Sequence, residues 1–173
     1  QRTSRREFLG FAAGSAVVGF PPTLLRGEEN PFRLNYIVAS SMYGRLPLAE
    51  VLAEVAKTGA EHIDIWPQRH ANHREHIEAI GHQEFAAMLK RHKVKVGILT
   101  HFDLGPFDLQ AEMKAVKEFG GSMIVCGSGG PRGLKGDALK AAIKDFIEKM
   151  KPHVAAAEEI GVTIGIENHG SSL

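Results

Sequence analysis

Short apolar runs alternate with amphipathic segments along most of the chain. The runs are rich in β-branched and aliphatic residues, which favours strands that are buried on both faces. The segments between them carry apolar residues three and four positions apart, which is typical of helices with one buried face. Five strands are predicted, at Leu34–Ala39, His62–Trp66, Val94–Leu99, Met123–Cys126 and Val162–Ile166.

Four helices are predicted between these strands. Helices that end in glycine and lead almost at once into a strand occur at Gly59, Gly120 and Gly161. Such a unit of about 30 residues, when repeated, predicts right-handed β-α-β crossovers and a parallel sheet. The apolar faces of the first and fourth predicted helices consist of Leu48, Val51, Leu52 and Val55, and of Leu139, Ile143, Phe146, Ile147 and Met150.

Two architectures are consistent with a parallel sheet of this kind, a closed (β/α) barrel and an open doubly wound sheet. Length favours the open sheet, because a full barrel needs about 250 residues and the chain has 173. The ends of the strands favour the barrel, because polar or aromatic groups follow the second, third, fourth and fifth strands. A barrel distributes its site around the rim, whereas an open sheet concentrates it at one switch point. We therefore predict an α/β fold of the (β/α) TIM-barrel type, with about the first five strands and four helices present.

The fifth apolar run stops abruptly at Glu167, Asn168 and His169. The carboxyl ends of parallel strands are where ligands bind, so this cluster is a candidate site. A carboxylate there can bind Mg²⁺ or Mn²⁺ through hard oxygen ligands; the alternative is that Glu167 braces a neighbouring loop. Asn168 and His169 are expected to orient a substrate rather than bind the metal, because adjacent strand residues point to opposite faces.

Other strand ends carry further candidates for contact with a substrate. Trp66 is expected either to form an apolar wall against a substrate or to pack beneath the rim. His70 is a candidate substrate contact, and its spacing with His73 and His76 would suit zinc on a helix, although a solvated surface loop explains the same run. His101 is a candidate general acid or hydroxyl-binding group, with a purely structural role as the alternative.

Composition narrows the classes of function without selecting one. With 43% hydrophobic residues, 24% charged residues and a net charge of +1, the chain has the profile of a soluble globular domain rather than of a nucleic-acid-coating protein. The single Cys126 excludes a disulfide framework and a paired-cysteine zinc site. The Gly127–Gly130 segment can contact an anion, with Arg132 nearby, but it lacks the dinucleotide-binding pattern.

The first residues have the form of an export signal. Arg5 and Arg6 precede an apolar run from Phe8 to Phe20 that is too short to span a bilayer comfortably,. The paired arginines resemble a twin-arginine signal, which predicts an exported, periplasmic protein. A membrane-anchored form remains an alternative, because no clear cleavage site follows. Residues 1–27 are thus expected to be signal and linker, and residues 28–173 the N-terminal part of the barrel.

Two segments resemble the xylose isomerase-like TIM barrel superfamily, the sugar phosphate isomerase/epimerase group that shares its fold with endonuclease IV. They are the segment KTGAEHIDIWP from Lys57 to Pro67 and the segment IGIENH from Ile164 to His169. The resemblance implies that Glu167 is a divalent-metal ligand and one of two carboxylates that exchange a proton with the carbon next to a sugar carbonyl. The family's other ligands come from strands six to eight and have no counterparts here, so the chain is expected to be truncated after strand five.

The leading hypothesis is a metal-dependent sugar isomerase or epimerase that acts through an enediolate. Mn²⁺ or Mg²⁺ is favoured as cofactor, with Co²⁺ or Zn²⁺ as alternatives, and the expected partner is a small sugar rather than nucleic acid. Two rivals remain: an endonuclease IV-like metal hydrolase, and a non-catalytic or truncated sugar-binding barrel. Gly127 and Ser128 stand where the endonuclease branch has a histidine, which counts against the first rival. A homo-oligomer is compatible with all three hypotheses.

Overall fold

Five parallel strands form a sheet whose strand order follows the order of the chain. The structure is a computed structural model that describes residues 34–168. Each strand pairs in parallel with the next, and the order does not reverse anywhere within the described residues. Consecutive parallel strands of this kind are the arrangement of a TIM barrel, so the predicted fold class is confirmed. The strands are β1 (Ile37–Ala39), β2 (His62–Ile65), β3 (Lys95–Thr100), β4 (Met123–Gly127) and β5 (Thr163–Glu167).

Helices connect the strands, and residues 34–168 contain one more α-helix than was predicted. The additional helix is α2, which lies in the histidine run for which a helix and a solvated loop were both considered. It forms because His73, Arg74 and Ile77 are buried against the rest of the protein. Two short 3₁₀ helices, Ser40–Tyr43 and Phe102–Phe107, follow β1 and β3. The α-helices are α1 (Leu48–Lys57), α2 (His73–Ile80), α3 (His82–His92), α4 (Gln110–Glu118) and α5 (Gly136–Ile160).

The apolar core lies between the sheet and helices α1, α3 and α4. All four apolar residues predicted for the first helix are fully buried. The same core cluster contains buried residues of the central strands, such as Ile63, Leu99 and Ile124. Burial of each large aliphatic side chain contributes about 1.5–3 kcal/mol. This packing holds the carboxyl ends of the strands in fixed positions.

Helix α5 is buried over a narrower face than its sequence predicts. Met150 is buried, but Ile143 and Ile147 are 40% and 53% exposed, so their predicted burial is wrong. The helix touches α4, β5 and the Phe102–Phe107 segment along one side, and this contact is too narrow to cover the whole apolar stripe. None of the helices within residues 34–168 is long and apolar enough to cross a membrane. The predicted export signal lies outside the described residues.

Candidate functional site

The carboxyl ends of all five strands surround one cavity. Parallel strands that run in register end at the same edge of the sheet, so the residues that follow them are brought together. The cavity has a volume of about 670 Å³. Its lining residues are Ser41, Trp66, Arg69, His70, Phe102, Asp103, Gly127, Ser128, Gly129, Gly130, Arg132 and Glu167.

Glu167 is the last residue of β5 and lines this cavity. It stands opposite Gly127 of β4 in the register of the sheet. Its exposed side chain shares the cavity with Trp66 and His70, two of the other residues predicted to contact a substrate. The sequence signal was the abrupt change from an apolar run to polar residues. The structure therefore brings together three of the six predicted site residues.

Trp66 forms part of the cavity wall and is held firmly. Its backbone N–H donates a hydrogen bond to Oγ of Ser40 at 2.9 Å, and its indole Nε1–H donates to Oδ2 of Asp64 at 2.6 Å. The ring packs edge-on against His70 and Phe102, with centroids 5.4 and 5.2 Å away. Trp66 thus lines the cavity itself, which favours the apolar-wall interpretation over simple packing beneath the rim.

Asp64 of β2, which is not one of the predicted site residues, donates no group to the cavity wall but contacts it through Trp66. The residue is only 8% exposed, and its Oδ2 also accepts a hydrogen bond from Oγ1 of Thr100 at 2.9 Å. Burial raises the pKa of Asp64 to about 6, although the hydrogen bonds from Thr100 and Trp66 act in the opposite direction,. Its Oδ1 is buried and has no hydrogen-bond partner among residues 34–168. A carboxylate inside an apolar strand was the signal that could have revealed it.

The segment that carries Phe102 and Asp103 reaches the cavity because Gly127 has no side chain. A Cβ atom at position 127 would lie 3.2 Å from the carbonyl oxygen of Phe102, which is a tight contact. The Phe102–Phe107 segment therefore packs closely on β4 and presents Asp103 to the cavity. Asp103 is a second carboxylate in the cavity wall and is not one of the predicted site residues.

His101 lies apart from this cavity. Among the described residues, it is not one of those that line the cavity. Its Nδ1 instead lies 3.4 Å from Oε1 of Glu112 on α4, at ion-pair distance but without a hydrogen bond to any residue that the structure describes. Glu112 in turn accepts a hydrogen bond from Nε of Arg74 at 2.7 Å. The neighbour of His101 is thus Glu112, and the structure does not place His101 at the cavity where a substrate contact was predicted.

We call Arg74, Glu78, His101 and Glu112 the α2–α4 charge cluster. The side chains of Arg74 and Glu112 are only 11% and 9% exposed, and Arg74 also donates a hydrogen bond to Glu78. Burial opposes ionisation of Glu112, but His101 and Arg74 outweigh it and lower the pKa of the carboxyl group. Burial likewise opposes ionisation of Arg74, but hydrogen bonds to Glu112 and Glu78 raise its pKa. Both partners therefore remain charged in the folded protein.

His73 and His76 of the histidine run lie in helix α2, so the surface-loop interpretation is wrong for His73. His73 is fully buried in α2, and its Nε2 lies 3.0 Å from the carbonyl oxygen of Leu46. Burial lowers the pKa of His73, which keeps the ring neutral near neutral pH,. His70, by contrast, is exposed at the cavity. Within the part of the chain that the structure describes, no three His, Cys, Asp or Glu side chains are grouped so as to hold a metal ion.

The two remaining predicted site residues, Asn168 and His169, follow Glu167 directly. Asn168 is exposed, directly beyond the end of β5. It is not among the described residues that line the cavity. His169 lies outside the described residues, so its predicted substrate contact stays a prediction.

Together, the parallel β/α units and the cavity at their strand ends define an α/β protein of the TIM-barrel type. More narrowly, the chain belongs to the xylose isomerase-like TIM barrel family, whose model matches residues 52–172. No curated protein matches the sequence significantly.

Solved structures with a similar fold include proteins of different description. A probable 3-DHS dehydratase, AsbF, involved in petrobactin synthesis in Bacillus anthracis, has a TM-score of 0.61 at 12% identity over 81% of this chain and 54% of its own. The IOLI protein with a zinc atom has a TM-score of 0.59 at 17% identity over 79% and 52%. A xylose isomerase-like TIM barrel protein from Mycobacterium smegmatis, in complex with magnesium, has a TM-score of 0.55 at 16% identity over 78% and 55%.

These similarities establish the fold and not the activity, because identities are low and one fold hosts many reactions. The chain spans about half the length of the solved structures that it matches.

Proposed function

We propose that the protein is a metal-dependent sugar isomerase or epimerase in which Glu167 exchanges a proton with the carbon next to the sugar carbonyl. One observation carries the proposal: Glu167 stands at the carboxyl end of β5, in the wall of a cavity of about 670 Å³ that it shares with Trp66 and His70. Membership of the xylose isomerase-like family supports the same reading.

The reaction needs a carboxylate that reaches a carbon acid. Glu167 would accept the proton from the carbon beside the carbonyl group, and the electron pair of the broken C–H bond would move toward the carbonyl oxygen to give an enediolate. In an isomerase the same carboxyl group returns the proton to the former carbonyl carbon, while the hydroxyl proton of the other carbon passes to the former carbonyl oxygen, so that the carbonyl group forms on that other carbon. In an epimerase the proton returns to the original carbon from the opposite face, which requires a second acid.

The cavity wall offers groups that suit a sugar. The indole of Trp66 supplies a flat apolar surface for the C–H face of a sugar ring or chain. The exposed ring of His70 stands beside it and can hydrogen-bond a hydroxyl group,. Substrate contacts by His101, Asn168 and His169 stay predictions, because the first two are not among the described residues that line the cavity and His169 lies outside the described residues.

We further propose a divalent metal cofactor, with Glu167 as one ligand. Carboxylate oxygen is a hard ligand, which favours Mn²⁺ or Mg²⁺ over Co²⁺ or Zn²⁺. The zinc and magnesium described for two similar folds support a metal in general. Residues 34–168 do not provide a complete ligand set, so the remaining ligands would have to come from elsewhere. A bound metal would supply positive charge near the developing enediolate.

Solvent deuterium exchange tests the proposed chemistry. The full-length protein is incubated in D₂O with a panel of ketoses and aldoses, with added Mn²⁺ or Mg²⁺ and after chelation. We expect incorporation of deuterium next to the carbonyl group of at least one sugar, lost on chelation and in Glu167→Gln. Glu159→Gln, which changes an exposed glutamate of α5, is the matched control. Cleavage of an abasic DNA duplex without exchange into any sugar would instead favour the endonuclease IV-like alternative.

We also propose that the protein is exported through the twin-arginine route. The support is the Arg5-Arg6 pair followed by the apolar run up to Phe20,. Residues 1–27 fused to a folded reporter should direct it to the periplasm, and replacement of both arginines by lysine should retain it in the cytoplasm. Export that is unaffected by this replacement would contradict the proposal, and a reporter that stays on the membrane would indicate an anchored form.

A further inference from the structure

The chain contains one tryptophan, and its ring is fixed by a buried carboxylate. The 2.6 Å hydrogen bond from the indole of Trp66 to Asp64 is short and charge-assisted, which makes it stronger than a bond between neutral groups,. Ser40 holds the backbone of the same residue. The indole can therefore keep one orientation while its face remains at the cavity.

A buried carboxylate at position 64 is energetically unfavourable if the side chain serves only to pack the core. It lies in β2 between Ile63 and Ile65, which are both buried, and it is only 8% exposed itself. Thr100 donates to the same oxygen that the indole uses, while Oδ1 has no partner among the described residues. An apolar side chain of similar size would avoid this desolvation, so the carboxylate is better explained by orientation than by stability.

We propose that Asp64 is a positioning residue that fixes the Trp66 indole as the apolar wall of the cavity and thereby sets the affinity for a sugar-like ligand. Thr100 supports it by holding the carboxylate in place. The inference rests on the proposed function only for the nature of the ligand. Without Asp64 the indole N–H loses its acceptor, and the ring is free to turn away from the orientation that receives the ligand.

The first test measures the position of the ring without any ligand. Because Trp66 is the single tryptophan of the chain, fluorescence emission and quenching by acrylamide report on it alone. In the full chain, Asp64→Leu should shift the emission to the red and increase quenching. Asp64→Asn keeps an acceptor oxygen and should stay close to the unchanged protein. Emission and quenching that are the same in Asp64→Leu would overturn the proposal; Asp64→Val replaces it if the leucine variant does not fold.

The second test asks whether the orientation matters for a ligand. D-fructose and D-xylulose serve as probes in the deuterium exchange assay. Asp64→Leu should raise KM about tenfold and leave kcat nearly unchanged. Trp66→Phe keeps an aromatic ring without the N–H and should lose affinity in the same way. The double variant should lose no more than either single variant, because both changes remove one interaction.

The outcomes separate this inference from the proposed function. Absence of exchange in the unchanged protein would contradict the proposed function, while the fluorescence result would still decide whether Asp64 positions Trp66. Altered fluorescence with unaltered KM would overturn the claim about affinity. Additive effects of Asp64→Leu and Trp66→Phe on KM would overturn it as well, because Asp64 would then affect the affinity independently of Trp66.

Discussion

The cavity at the strand ends and the α2–α4 charge cluster use similar residues for different purposes. In the cluster, Glu112 is buried and paired with Arg74 at 2.7 Å. In the cavity, Glu167 is exposed in the wall of a space large enough for a small ligand. Both regions contain a glutamate and a histidine, and in each region the histidine follows a strand, His101 after β3 and His70 after β2. A polar residue after a strand is therefore not by itself a site residue, because its surroundings determine its role.

The largest effect is expected from breaking the buried ion pair of the cluster. Arg74→Met should lower the free energy of unfolding by about 3–5 kcal/mol, because it leaves Glu112 charged and buried without its arginine partner,. Urea denaturation measures this change. Lys149→Met removes the exposed pair with Asp145 and is the matched control, expected to cost less than about 1 kcal/mol,. Equal costs for the two variants would show that the cluster is not held by a buried charge pair.

The next effect concerns Asp64 and depends on pH. Its pKa is 3.8 when unperturbed and about 6 in the folded protein, because burial disfavours the charge. Between these values the folded state retains a proton that the unfolded state has lost, so this contribution to stability is present below about pH 4 and is lost as the pH rises through 6. The loss amounts to about 3 kcal/mol at most.

Asp64→Asn isolates that contribution from the other titrating groups. The free energy of unfolding of the variant minus that of the unchanged protein should increase between pH 4 and pH 7 by the amount that Asp64 loses. A series of urea denaturation curves across this range measures it. A difference that stays constant, or that falls with rising pH, would mean that the folded carboxyl group does not have a raised pKa.

The smallest effects distinguish the two histidines. His101→Gln should lower the free energy of unfolding by about 1 kcal/mol, since it removes a neighbour of Glu112, and should change KM little,. His70→Gln should leave stability within about 0.5 kcal/mol, because the ring is exposed, but should raise KM,. Thermal melts give the stability of each variant, and exchange kinetics give its KM. The reverse assignment of effects would place His101 in the site and His70 outside it.

Much of the fold follows from local patterns in the sequence. Periodicity and glycine stops are visible in short segments of the sequence. They predict the succession of strands, their parallel pairing and the buried face of α1. Helix α2 was missed because only three of its eight residues are apolar and its stability comes from distant partners. The Arg74–Glu112 hydrogen bond joins residues 38 positions apart, and no local pattern reveals such a pairing.

The candidate site follows from the sequence only in part, for the same reason. Glu167, Trp66 and His70 were predicted because polar and aromatic residues after strands gather at one edge of a parallel sheet,. The role of Asp64 and the different location of His101 depend on side-chain contacts between strands and helices. A carboxylate within an apolar strand therefore indicates a residue with a role other than packing.

The most direct test of the account compares two glutamates in one assay. Solvent deuterium exchange is measured for Glu167→Gln and Glu112→Gln at a temperature where melts show both variants to be folded. We predict that Glu167→Gln lowers exchange by about 10²–10⁴-fold, as expected for loss of a general base. Glu112→Gln should lose stability and keep its exchange. Exchange that persists in Glu167→Gln would contradict the central claim that this carboxylate carries the chemistry.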